Sequence, residues 1–297
     1  MRVRFFSTAV LITSALWIAA AARPGAAGEG KRVSAVSIRV VPDNATVWGA
    51  QGSQHFMVLA KYADGLERDV TSATRFSLSQ PAKGEIDTTG KFVARSSGEV
   101  VLTAKYGGRS AKSAIHMEET EKPRPFTFAR EIDGIFTKRG CNDALCHGGV
   151  KGRGGFKLSV YGIYPHDDYK WAVEGGTFRV LTTDEAPKHP RINLKEPEKS
   201  LLLLKPTFTV PHGGGLRFKV GSEDYQTIVN WIRAGAPYGE EAEKQGVTVK
   251  RVEVSPKEVV LEPGSRQQLV VTAYLSNGRQ EDITDRVRYI SNDAGVA

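Results

Sequence analysis

Residues 35–71 read AVSIRVVPDNATVWGAQGSQHFMVLAKYADGLERDVT, and residues 249–284 read VKRVEVSPKEVVLEPGSRQQLVVTAYLSNGRQEDIT. The two stretches carry the same features in the same order. Each has an alternating run that ends at a proline (Pro42, Pro256), a second short run, a Gly turn (Gly52, Gly264) and a long alternating run. In the long runs Phe56, Val58, Ala60 and Tyr62 match Leu269, Val271, Ala273 and Leu275 in parity, and a period of two sends one face of a strand to a core. Asp64-Gly65 and Asn277-Gly278 supply the positive φ of a tight hairpin. Each copy then closes on Asp-Val-Thr or Asp-Ile-Thr, at Asp69 to Thr71 and Asp282 to Thr284. Short strands at regular spacing without a helical period predict a β-sandwich. The first copy runs on through EIDTTGKFVARSSGEVVLTAKYGG and closes near Met117. His55 and His116 lie in strand-like sequence and read as sheet or surface histidines.

These two copies resemble bacterial immunoglobulin-like domains of group 2, over residues 33–118 and 249–297. That resemblance implies spacer or adhesion modules, with a cell-surface polysaccharide or a protein as partner, and no chemistry of their own. The second copy reaches Ala297 before the later strands of the first have a counterpart. It is expected to be an incomplete domain of a longer protein, because half a sandwich exposes core face and unpaired edges.

The 297 residues allow two or three domains. With 40% hydrophobic and 25% charged residues the chain is neither disordered nor a multi-span membrane protein. The net charge of +8 is spread among interleaved acids, without the basic block that a nucleic-acid partner calls for. Arg2 and Arg4 precede an apolar run, and small residues follow at Ala20, Ala21 and Ala22 and again at Ala27. This pattern predicts a signal peptide over residues 1–27, an uncleaved anchor being the alternative. The remainder is expected to be exported, to the periplasm or cell surface of a bacterium, with no membrane span after cleavage. There its cysteines meet an oxidising space.

Between the copies the pattern changes. FTFAREIDGIFTKRG places Phe128, Ile132, Ile135 and Phe136 at helical spacing with Gly140 as a stop, and Ser222 caps YQTIVNWIRAGAP. The segment between them is dense in Gly and Pro. It also holds both cysteines of the chain, in CNDALCHGG at 141–149. Covalent haem attachment asks for two thiols and an imidazole directly after the second, which Cys141, Cys146 and His147 supply with four spacer residues instead of the usual two. Asn142 and Asp143 suit a looped-out turn. A Cys141–Cys146 disulfide and a zinc clip stay open beside haem, the clip being short of ligands.

Across residues 126–239 the blocks CNDALCHGGVKGRGGFKLSVYG, EPEKSLLLLKP, VPHGGGLRF and YQTIVNWIRAGAP resemble, in order, the planctomycete-type cytochrome c domain, in which this longer spacing occurs. The resemblance implies a mostly α cytochrome c-like domain at 126–239 carrying one covalent haem c, with thioethers at Cys141 and Cys146 and His147 on the iron. It implies single-electron transfer with an unnamed redox partner protein. The loop before the last helix, where ordinary cytochromes c place a methionine, holds His212 here, so His212 is the candidate distal ligand. Met57 and Met117 fall in or beside the first sandwich, His166 and His189 are rival ligands in turn-like sequence, and Lys205 and Arg217 are candidates for the haem propionates. The expected architecture is therefore multidomain: an all-β Ig-like sandwich, a mostly α middle domain, and a second, truncated sandwich. Two other functions remain open: a haem-free surface binding or structural protein with a Cys141–Cys146 disulfide, and an electron-supplying piece of a larger exported enzyme. No nucleophile–base arrangement or carboxylate pair marks this chain as a catalyst.

Overall fold

The computed structural model describes residues 34–122, 126–175, 190–239, 247–293 and 295. The expected signal peptide at 1–27 lies outside them. The front of the chain is a set of sheets facing one core. Strands β1 (Ala35–Val41), β4 (Met57–Tyr62) and β5 (Glu67–Asp69) form one antiparallel sheet in the order β1-β4-β5. Opposite stand β2 (Asn44–Trp48), β10 (Arg109–Glu118), β9 (Gly98–Tyr106) and β6 (Arg75–Leu78), in that order, with β2 parallel to β10. A small sheet of β3 (Ser53–His55), β8 (Lys91–Ala94) and β7 (Gly84–Ile86) closes the side. The predicted parity holds: Phe56, Val58 and Ala60 are fully buried, against Phe92, Leu102, Ile115 and Met117.

The back of the chain repeats the first sheet, with β11 (Val249–Ser255), β12 (Val270–Leu275) and β13 (Gln280–Asp282) in the order β11-β12-β13. The shared Asp-x-Thr element does the same local work in both copies. Asp69 Oδ1 accepts from Thr71 N (2.8 Å), and Thr71 Oγ1 accepts from Val58 N (2.9 Å). Asp282 Oδ1 accepts from Thr284 N (2.8 Å), and Thr284 Oγ1 accepts from Val271 N (2.9 Å). The second oxygen of each aspartate crosses to the other copy. Gln268 N donates to Asp69 Oδ2 at 2.6 Å, and both the backbone N and Nδ1 of His55 meet Asp282 Oδ2, the ring nitrogen at 2.7 Å. Between these bonds Met57 and Leu59, on the outer face of β4, are buried against Val270. The copies are thus docked reciprocally, each lending one carboxylate oxygen to the other.

The middle region departs from expectation. Its helices are α1 (Phe128–Lys138), α2 (Pro165–Val173), α3 (Leu201–Leu204) and α4 (Glu223–Arg233), of 11, 9, 4 and 11 residues. The rest of the described segment is loop and short 3-10 turns, while strands outnumber helices among the described residues. A mostly α cytochrome c-like domain is therefore not what folds here. The cause is local: at Gly148 a Cβ would stand 2.1 Å from the Asn142 carbonyl, and Gly152 takes φ +64 with a Cβ position 2.0 Å from Phe156 O. Close backbone crossings of this kind exclude a helix. The two helices read from caps do form: Thr127 Oγ1 accepts from Arg130 N (3.2 Å), Ser222 Oγ accepts from Tyr225 N (3.4 Å), and Gly140 leaves α1 at φ +68. Phe128, Ile132, Leu158, Leu203, Ile228 and Ile232 make the core. Asp224 ties α4 to α1 by accepting from Lys138 Nζ (3.2 Å) and from Arg139.

Candidate functional site

The turn between the cysteines closes on itself. Cys141 N donates to Phe136 O (2.8 Å), Cys146 N to Asp143 O (2.9 Å) and His147 N to Cys141 O (3.0 Å). Asn142 is wholly buried, its Nδ2 donating to Thr137 Oγ1 at 2.7 Å. The two additional residues are thus absorbed as a turn under the end of α1. Both cysteines are free, so the disulfide alternative does not form. Burial pushes the Cys141 thiol up to about 12, which keeps it protonated.

Cys141, Cys146, His147 and His212 all line one cleft of about 340 Å³. His147 Nδ1 lies 2.9 Å from Phe156 O, and His212 Nδ1 lies 2.9 Å from Gly215 O. An Nδ1–H donated to a carbonyl leaves the lone pair on Nε2 and fixes the ring. Burial lowers the His147 pKa, favouring that neutral form. The two imidazoles are nearly parallel, 8° apart, with centroids 6.3 Å from each other. Two van der Waals contacts of roughly 3.5 Å need about 7 Å, more than this spacing, so a group held by both histidines is met through Nε2 rather than stacked between the ring faces. Phe136, Phe156, Leu202 and Pro206 supply apolar wall, and Arg153, Arg191, Lys205 and Arg217 supply charge.

The rival ligands lie elsewhere. His166 packs edge-on to Tyr238 at 5.3 Å, His189 is outside the described residues, and Met57 and Met117 are buried among strands. Sequence reading found the cysteines, both cleft histidines, Lys205 and Arg217, but missed Phe156, Arg153 and Arg191. Arg191 had no local signal. It reaches the wall because Leu202 N donates to its carbonyl (3.0 Å) and its own N–H to Ala172 O (2.9 Å).

Behind the cleft, α1 carries a second polar group that the sequence did not announce. Asp168 accepts from Ser159 N and Ser159 Oγ, both at 2.5 Å. Asp133 is 2% exposed, and neither of its oxygens has a donor. Burial, then the charge of Asp168, raises Asp133 to about 8. Asp168 is raised as well, burial being the first cause. A proton on Asp133 converts two facing acceptors into a donor and an acceptor.

No family model and no curated protein matches this chain. Among solved structures it is similar to an intimin mutant of EHEC O157:H7, at 18% identity over 33% of this chain and 47% of that one, with a TM-score of 0.18. It is also similar to the intimin–Tir90 complex, at 15% identity over 35% of this chain and 58% of that one, with a TM-score of 0.19. The matched lengths are less than two thirds of either structure's chain, and overlap this small identifies no family.

The electron-transferring cytochrome expected from the sequence is overturned. The region that would be its helical fold is loop-rich within a mainly β chain, and among the described residues no group of three or more His, Cys, Asp or Glu gathers to hold a metal ion. The zinc clip falls on the second ground. Among the described residues no helix is long and apolar enough to cross a membrane.

Proposed function

We propose that this chain is an exported binding protein, in which docked β modules hold a loop-rich middle region whose cleft takes a flat ligand held through His147 and His212. Electron transfer forms no part of this reading. The observation that carries it is the parallel pair of imidazoles, 8° and 6.3 Å apart, each anchored through Nδ1, in a cleft with apolar walls.

For the occupant, the motif resemblance of residues 126–239 points to haem c. The residues present fit that group: Cys141 and Cys146 would carry thioethers, and His147 and His212 would reach the iron. Bound there, the group would supply an iron for His147 and His212 to ligate. The chain's own work is to hold the two imidazoles in place, to present Cys141 and Cys146 at the cleft wall, and to limit water with Phe136, Phe156 and Leu202. Export to the periplasm or cell surface, and a protein or polysaccharide partner for the β modules, complete the proposal.

The test is production with and without a haem-attachment system, followed by a haem stain on a denaturing gel and an optical titration. Covalent haem in the wild type, its loss in a Cys141→Ala/Cys146→Ala double variant, and an altered band for His212→Ala support the reading. A chain that takes up no flat ligand under either condition refutes it.

A further inference from the structure

The cleft wall contains four cations and, among the described residues, no carboxylate. Three of the four differ from the last in how they are engaged. Lys205 Nζ donates to Pro211 O at 3.0 Å, and Arg217 Nη1 donates to Arg139 O at 3.3 Å. Arg153 is exposed, its guanidinium lying against the Gly213 backbone so that a Cβ there would be 3.6 Å from its Cζ. Arg191 is half-buried, and its Nε is buried without any acceptor. Its guanidinium carbon sits 5.4 Å from the centroid of Phe156, whose ring is in turn 4.9 Å from that of His147. All three side chains line the cleft, so this positive charge stands on the same wall as the His147 imidazole. A buried guanidinium N–H without an acceptor is costly unless something arrives to receive it.

Resting on the reading of the cleft as a flat-ligand site, we propose that the site selects ligands bearing carboxylates and that Arg191 receives one of them, with Arg153 at the open rim. Burial alone lowers the Arg191 pKa, with no acid acting on it, in keeping with a charge whose partner comes from outside the protein. The planar fork of arginine matches a carboxylate with two parallel hydrogen bonds, which a lysine cannot do. Lys205 and Arg217, the cations that the sequence singled out, already have backbone acceptors and rank behind Arg191.

The experiment uses the full chain made without haem attachment and two probes in the same dilute detergent: mesoporphyrin IX, a metal-free planar diacid without vinyl groups, and its dimethyl ester. Binding is read by quenching of tryptophan fluorescence. The diacid is expected to bind about tenfold or more tighter than the ester, one charge-assisted pair of hydrogen bonds being worth at least that. Arg191→Met should bring the diacid down to the ester's affinity and leave the ester unchanged, while Arg191→Lys keeps part of the preference. Equal affinities in the wild type, or an undiminished preference in Arg191→Met with the ester still bound, overturn the assignment of Arg191. If neither probe binds the wild type, the flat-ligand reading itself fails and this inference falls with it.

Discussion

Replacing Asp133 by asparagine should make the protein more stable, and increasingly so as pH rises. Asp133 is 2% exposed with neither oxygen satisfied as a carboxylate, and its pKa is raised to about 8 by burial and by Asp168. In the unfolded chain the same group titrates near 3.8. Between those values the folded state holds a proton that the unfolded state has lost, so stability falls with rising pH and levels off above the folded pKa. One unit is worth about 1.36 kcal/mol, so the interval from pH 5 to pH 8 carries at most about 4 kcal/mol. Sharing of charge with Asp168 reduces this, and about 2–4 kcal/mol is expected. An asparagine side chain in this place would keep a donor for Asp168 and carry no charge, which removes this part of the pH dependence. The assay is urea and thermal unfolding of wild type and Asp133→Asn at pH 4, 5, 6.5 and 8. Near pH 4 the two should be nearly equal, and at pH 8 the variant should melt roughly 5–10 °C higher, at about 2–4 °C for each kcal/mol. Parallel pH curves for the two proteins, or a variant less stable at pH 8, would refute the assignment of the proton to this pair.

Three further outcomes follow from the same geometry. Asp282→Ala removes the acceptor for the His55 backbone and ring and for Thr284 N, and should lower stability by about 2–4 kcal/mol, measured by denaturant unfolding. His55 is raised by Asp282 and Asp285 despite burial and the nearby Lys91, while Asp282 is lowered through its bonds to His55 and Thr284. Their joint contribution is lost as pH rises through the folded pKa of His55 and again as pH falls below the usual carboxylate range, so His55→Gln should flatten the upper limb of the stability curve only. The half-buried Cys141 thiol, pushed up to about 12, should react slowly with iodoacetamide at pH 8 compared with a free cysteine. Gly148→Ala, which puts a Cβ 2.1 Å from Asn142 O, should abolish that protection, as read by mass spectrometry.

How much of this was legible depended on the range of the forces involved. Strands β1, β4, β11 and β12 were readable because alternation, Asp-Gly or Asn-Gly turns and the Asp-x-Thr close are local. The ends of α1 and α4 were readable because caps are local too. The outer face of β4 was not: Met57 and Leu59 sit at positions that alternation assigns to solvent, and they are buried only because Val270, more than two hundred residues later, lies over them. The middle region is less helical than its two well-capped helices imply, because the backbone crossings at Gly148 and Gly152, against Asn142 and Phe156 a few residues away, leave no periodic signal in the sequence. His147 and His212 could be paired by their place in the order of motifs. Arg191 could not, and Asp133 looked like any charged residue on an amphipathic helix.

The reciprocal aspartates also bear on how the molecule comes apart. With Asp69 bound to Gln268 and Asp282 bound to His55, the two ends of the intervening chain are pinned together, and the middle region is a closed loop rather than a bead on a string. Closing a loop of that length in advance removes conformational freedom that its unfolded form would otherwise regain. A single protease cut between residues 126 and 239 would therefore leave two fragments still clasped to each other, released only when the β modules themselves let go.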